Sequence, residues 1–74
     1  MEIPIGIPGL IISGDEVGWT VEIKYDTQKT GGYYIFTSRD SEGYDDWVPD
    51  YKSLEKYFEE SKWLIKWGPV PPRV

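Results

Sequence analysis

Residues 18–26, with the sequence GWTVEIKYD, carry the strongest structural pattern in this 74-residue chain. Apolar residues at positions 19, 21, 23 and 25 alternate with polar residues at positions 20, 22, 24 and 26. A period of two over this length predicts a β-strand that buries one face and exposes the other to water. The residues expected on the buried face are Trp19, Val21, Ile23 and Tyr25.

The segments on either side of this strand predict two more strands. The apolar run of residues 9–13 precedes a turn with glycines at both ends, and residues 33–38 follow the polar turn TQKTGG. Aromatic and β-branched residues favour strands. Because the third strand is apolar on both faces, we expect it to be covered on both sides or to present an adhesive face. The alternatives for that face are Tyr33 with Ile35, or Tyr34 with Phe36.

Residues 50–61 predict the only helix. Asp50 is a favourable N-cap residue, and Tyr51, Leu54 and Phe58 form one apolar stripe with Tyr57 at its border. A last strand is predicted over residues 62–67, where alternate apolar residues share one face. The sheet residues expected to contact the helix stripe are Trp19, Ile23, Trp63 and Ile65.

The predicted order β-β-β-α-β indicates an α+β fold, in which one helix packs on one face of a small four-stranded, mainly antiparallel sheet. Residues 39–49 are expected to form a loop. The helix should be a right-handed crossover that returns the last strand parallel to the third. We predict a single domain over residues 1–74, with residues 1–8 as an extended N-terminal arm and residues 68–74 as a proline-rich tail. One short helix leaves part of the other sheet face open.

Composition argues against several classes of function. The chain has no cysteine and no histidine, so it lacks disulfides, thiolate metal sites and the commonest general base. A pair of carboxylates can serve as acid and base in glycoside cleavage, but so small a domain has little room for the required cleft. We therefore expect no enzymatic activity, no cofactor and no metal site.

An acidic segment leaves one metal hypothesis open. Asp40, Glu42, Asp45 and Asp46 lie in the predicted loop, and calcium prefers carboxylate oxygens. Their spacing does not match the helix–loop–helix calcium motif. The alternative is a solvated acidic loop.

The net charge is concentrated in one stretch. Residues 39–60 contain eight acids and three bases, which gives −5, while the rest of the chain contains five of each, which gives zero. A negative surface attracts basic partners and repels nucleic acid and anionic membranes. We find neither a secretory signal pattern nor an apolar run long enough to span a membrane, so a cytoplasmic location is expected.

The acidic stretch also contains aromatic residues, as expected of a surface that binds a basic protein. Glu55 and Glu59 are like charges one helical turn apart, and Glu59 lies near the helix C-terminus, where the helix dipole disfavours anions. This arrangement is not optimal for helix stability alone. The predicted partner-binding residues are Asp40, Glu42, Tyr44, Asp45, Asp46, Trp47, Glu55 and Glu59.

Four segments together resemble a known group of proteins. The segments are Gly18-Trp19-x-Val21-x-Ile23, Gly43-Tyr44-Asp45-Asp46-Trp47-Val48, Leu54-Glu55-x-Tyr57-Phe58 and Trp63-x-Ile65-x-Trp67. Over roughly residues 18–67 the chain resembles the small, acidic, tryptophan-rich immunity proteins of bacterial polymorphic toxin and contact-inhibition systems. The resemblance implies a compact α+β protein, made beside a secreted toxin, that binds the toxic domain and blocks its active site.

Two other functions remain open on the sequence. One is a structural or adaptor domain that forms a homodimer through its open sheet face. The other is a phage-type inhibitor that mimics DNA, in which spaced carboxylates stand in for phosphates.

Overall fold

The computed structural model describes residues 3–68, in which four strands precede one helix and a fifth strand follows it. The strands are Gly9–Ser13 (β1), Thr20–Tyr25 (β2), Tyr33–Arg39 (β3), Glu42–Val48 (β4) and Leu64–Trp67 (β5), and the helix is Tyr51–Ser61 (α1). The sheet has the order β4-β3-β2-β1-β5, and every neighbouring pair is antiparallel. The predicted α+β class is confirmed, with five strands instead of four.

The additional strand lies where the sequence predicts a loop. β4 pairs with β3 without interruption from Tyr33↔Val48 to Arg39↔Glu42, across a two-residue turn at Asp40 and Ser41. Six of its seven residues are exposed, so it has no alternation of apolar and polar positions. Aspartate and glycine also disfavour strands. Pairing with β3, and not local sequence preference, makes this segment a strand.

The direction of the last strand also differs from the prediction. β5 pairs antiparallel with β1 at the far edge of the sheet, so it runs opposite to β3 and is not its neighbour. The expectation of a last strand parallel to the third is therefore wrong. Because β4 reverses the direction of the chain once more before the helix, β5 runs parallel to β4.

The core lies between α1 and one face of the sheet. Leu54 and Phe58 of the helix are buried, as the predicted stripe requires, and Phe58 lies 5.0 Å from Trp63 between ring centroids. The fully buried sheet residues are Ile11, Val21, Ile23 and Ile35. Around them pack the half-buried residues Trp19, Tyr33, Tyr51, Tyr57, Trp63, Ile65 and Trp67. Tyr25, expected in the core, is instead exposed at the end of β2 and stacks on Tyr33.

Both ends of α1 are fixed by specific contacts. Asp50 caps the first turn, since its Oδ1 accepts a hydrogen bond of 2.8 Å from the Ser53 backbone N–H. At the other end Lys62 adopts a left-handed conformation. Gly14 has φ +98°, and a Cβ there would collide with the Lys62 carbonyl, so glycine allows the β1–β2 turn to pack on the helix end. Within residues 3–68, no helix is long and apolar enough to cross a membrane.

The described part of the predicted N-terminal arm is attached to the core. Ile3 is buried, and its backbone N–H donates a hydrogen bond of 2.8 Å to the Tyr51 hydroxyl. Gly6 donates to the Ile23 carbonyl at the sheet, while Ile5 and Ile7 are exposed. Residues 1–2 of the arm, and the predicted tail beyond Gly68, lie outside the described residues.

Replacing Phe58 with alanine tests the helix packing. Phe58→Ala should lower the free energy of unfolding by about 3–5 kcal/mol, because it removes a large buried ring and leaves a cavity. The measurement is urea denaturation followed by tryptophan fluorescence. The matched control is Phe36→Ala on the opposite sheet face, where the residue is 38% exposed. An equal loss in the two variants would contradict this assignment of the core.

Candidate functional site

The β3–β4 hairpin, residues 33–48, carries four of the thirteen acidic residues of the chain, and we call it the acidic hairpin. Its carboxylates are those of Asp40, Glu42, Asp45 and Asp46. Among residues 3–68, no lysine or arginine nitrogen lies within 4.0 Å of these four carboxylates. The ion pair in that range lies within β2, where Lys24 is 3.9 Å from Glu22. Arg39, the hairpin's own cation, lies over the Trp19 ring instead, 5.4 Å from its centroid. Within residues 3–68, these four carboxylates therefore make no ion pair, although Arg39 lies opposite Glu42 in the strand register.

Strand alternation divides the acidic hairpin between the two faces of the sheet. Tyr44 is opposite Thr37 and Asp46 is opposite Ile35, so both lie on the helix side, as does Glu42. Asp45 and Trp47 lie on the open face. Tyr44 and Trp47, predicted together as binding residues, therefore point in opposite directions.

On the helix side, Tyr44 is exposed but held in place. Its ring stacks on Trp19 at a centroid distance of 5.6 Å, while 60% of the residue remains accessible to solvent. The Arg39 guanidinium contacts the same Trp19 ring. Stacking and cation–π contacts restrict the rotamers of an exposed aromatic side chain. Tyr44 is thus presented to solvent with its ring supported by Trp19.

Asp46 is held by the helix. The Tyr57 hydroxyl donates a hydrogen bond of 2.9 Å to Oδ2 of Asp46. Partial burial, with the hydrogen bond and charge of Asp46, raises the pKa of Tyr57 to about 12. The pair joins α1 to β4 and fixes the position of one carboxylate of the acidic hairpin.

On the open face, Trp47 is held by the β2–β3 turn. Its Nε1 donates a hydrogen bond of 3.0 Å to Oγ1 of Thr30. The indole lies against Gly32, where a Cβ would be 2.5 Å from Nε1. Trp47 is still 42% exposed. A shallow depression of about 250 Å³ lies farther along β4, lined by Phe36, Thr37, Ser38, Gly43, Tyr44 and Asp45.

Glu55 and Glu59 lie on a separate surface. With Lys52 and Lys56 they line a shallow depression of about 340 Å³ on the outside of α1. Glu55 and Glu59 lie on the same side of α1 as Phe58, whose ring contacts Trp67 of β5. Tyr57 lies on the other side of the helix and faces β4. The structure therefore does not bring them together with the acidic hairpin, and the nearby lysines offset their charge.

A calcium site would require the carboxylates of the acidic hairpin to converge on one point. Asp40 lies in the β3–β4 turn, Asp45 lies on the open face, and Glu42 and Asp46 lie on the helix side. In the part of the chain that the structure describes, no three His, Cys, Asp or Glu side chains are grouped to hold a metal ion. The acidic hairpin thus presents separate carboxylates and no converging ligand set.

Sequence reasoning missed the residues that position the acidic hairpin. Trp19 was expected in the core, but it is half-buried and supports Tyr44. Thr30 lies in a turn and Tyr57 at the border of the helix stripe, and neither position signals a contact with β4. The sequence offers one signal: the short polar turn of residues 27–32 follows the clear strand β2, and such a turn is compatible with a hairpin.

Comparisons with known proteins do not identify the chain. No protein-family model matches it, and no curated protein or solved structure shows significant similarity to it.

The Tyr57–Asp46 pair predicts an alkaline loss of stability. A tyrosine ionises near pH 10 in the unfolded chain but near pH 12 in this fold, so its contribution is complete below pH 10 and is lost as the pH rises toward 12. Tyr57→Phe should reduce this loss of stability and remove a late step from the ultraviolet titration of the tyrosines. Tyr44→Phe is the control, because it removes a tyrosine but keeps the bond to Asp46. An unchanged late step in Tyr57→Phe would contradict the assignment.

Proposed function

We propose that this protein acts by binding, as an immunity-type inhibitor that covers a basic site on a toxin domain. The observation that carries the proposal is the acidic hairpin, where carboxylates that make no ion pair within residues 3–68 flank an exposed aromatic ring stacked on Trp19. A toxin nuclease fits this surface, because sites that bind nucleic-acid phosphates are basic. An inhibitor of this kind protects the producing cell from within, so the proposal includes a cytoplasmic location.

The charge of the acidic hairpin supports a basic partner. Residues 39–48 contain four acids and one arginine, which gives −3 over ten residues. Such a local field accelerates encounter with a positive surface and rejects negative ones. The same sign disfavours direct binding to nucleic acid or to an anionic membrane.

The aromatic residues support tight binding after encounter. Tyrosine and tryptophan are enriched among the residues that dominate binding energy at protein interfaces. Tyr44 and Trp47 are both substantially exposed, and both are already held by neighbouring side chains. A side chain fixed before binding loses less conformational entropy on association. Because the two rings lie on opposite faces, a partner that contacts both must enclose β4.

Binding kinetics with the partner test this function. The partner is sought by pull-down from the host and by testing the product of the neighbouring gene. Glu42→Lys/Asp45→Lys should lower the association rate at least tenfold at low salt. The difference should shrink at physiological ionic strength, where the Debye length is about 8 Å.

The matched control is Glu59→Lys/Glu60→Lys, because each pair of substitutions changes the net charge from −5 to −1. The control should associate nearly as fast as the parent. Tyr44→Ala should mainly accelerate dissociation. If the folded hairpin variant associated as fast as the parent at low salt, the acidic hairpin would be only a solvated surface.

The open sheet face favours a second candidate function, a homodimeric adaptor. Apolar residues remain exposed there, among them Leu10, Ile12, Phe36 and Leu64. Exposed apolar patches often mark interfaces. The Glu22–Lys24 ion pair on β2 separates Phe36 from the apolar residues of β1 and β5, so the apolar area is not continuous.

Sedimentation from micromolar to millimolar concentration tests this second function. A dimer that is lost in Ile12→Lys but retained in Glu42→Lys/Asp45→Lys would support it. A monomer throughout would remove it.

A further inference from the structure

We propose that β4 accepts an additional strand: an extended segment of the partner protein, with lysine or arginine opposite the carboxylates, pairs along the free edge of β4. The sheet would then contain six strands in the complex. The inference rests on the proposed function and specifies how the partner binds.

The edge of β4 is available for pairing. Among residues 3–68, the backbone of β4 pairs with β3 and with no other segment. An edge strand presents a row of unpaired N–H and C=O groups, which is a template for strand addition. β4 is seven residues long, and its register with β3 has no bulge. The opposite edge, β5, has four residues and a register shift against β1.

The sequence of β4 lacks most of the usual protection of an edge. Natural edges are shortened, bulged, or supplied with proline or lysine. β4 contains none of these features, and its only charged residues are Glu42, Asp45 and Asp46. Its protection against pairing is therefore purely electrostatic, and it depends on the charge of the incoming strand.

That charge discriminates between possible occupants of the edge. If two copies of β4 paired antiparallel around Tyr44, Glu42 of each copy would lie opposite Asp46 of the other. Like charges directly opposite each other destabilise a strand pair, whereas opposite charges stabilise it. A second copy of this chain is therefore disfavoured, and a basic strand is favoured.

The positions of the side chains define the pattern that the added strand needs. Residues opposite Glu42 and Asp46 lie on the helix side and should be basic, and the residue between them lies beside the Tyr44 ring. On the open face, a basic residue opposite Asp45 adjoins the depression lined by Phe36 and Gly43. The stem of lysine or arginine can cover the Phe36 ring while its charged end reaches the carboxylate.

A basic copy of this protein provides the first probe. The variant Glu42→Lys/Asp45→Lys/Asp46→Lys is added unlabelled to the ¹⁵N-labelled parent at low salt. We expect amide chemical-shift changes concentrated at residues 42–48 of the parent, one-to-one saturation, and at least tenfold weaker binding at high salt. Glu55→Lys/Glu59→Lys/Glu60→Lys is the matched control, since each triple substitution changes the net charge from −5 to +1. The control should leave the β4 amides unchanged.

A second probe keeps the test decisive if the triple variant does not fold. It is a blocked synthetic peptide with the sequence of β4 in which the three acids are lysines. A version with proline at the positions of Tyr44 and Asp45 should bind at least tenfold more weakly. Adjacent residues direct their N–H groups to opposite edges, so one of the two prolines removes a donor that faces β4.

Two results would overturn the inference. If basic probes shifted the β4 amides no more than their controls did, the acidic hairpin would attract cations without adding a strand. The proposed function would survive that result, because partner kinetics measure it separately. If the parent alone showed the same β4 shifts with rising concentration, the occupant would be a second copy of this chain.

Discussion

The structure depends on a single layer of apolar contact between α1 and the sheet. Leu54 and Phe58 meet the fully buried residues of β1, β2 and β3, and this layer contains the main core of the described chain. A small domain has little apolar area to bury, and here neither disulfides nor thiolate metal sites add stability. The contacts at both ends of α1 maintain this layer, because they fix where the helix starts and stops.

Because α1 packs on one face of the sheet, the other face and the sheet edges remain available for binding. One 11-residue helix covers one face of a five-stranded sheet, so the other face keeps exposed apolar side chains. The connection through α1 runs from β4 at one edge of the sheet to β5 at the other. Among residues 3–68, β4 pairs with β3 alone, and its acids and aromatic residues project on both faces beside this outer backbone edge. A partner strand that pairs along this edge would reach Tyr44 and Trp47 at once, which neither face alone allows.

The sequence predicted the elements whose pattern arises from burial. The period of two in β2, the Asp50 cap and the apolar stripe of α1 are each visible locally, because buried positions need apolar residues. β4 buries only Val48, so no local pattern distinguishes it from a loop. The missed strand also reversed the predicted direction of β5, since the crossover starts one strand later. Once β4 is known, the opposite orientations of Tyr44 and Trp47 follow from their odd spacing.

Hydrogen exchange along β4 tests most directly whether this edge is the binding surface. In the free protein, amides that face β3 should be protected, and those that face outward should exchange rapidly, so protection should alternate along residues 42–48. In a saturated complex with the basic partner, the rapidly exchanging amides should become protected as well. If they continued to exchange rapidly in that complex, the partner would bind elsewhere, and the account of β4 as the binding edge would be wrong.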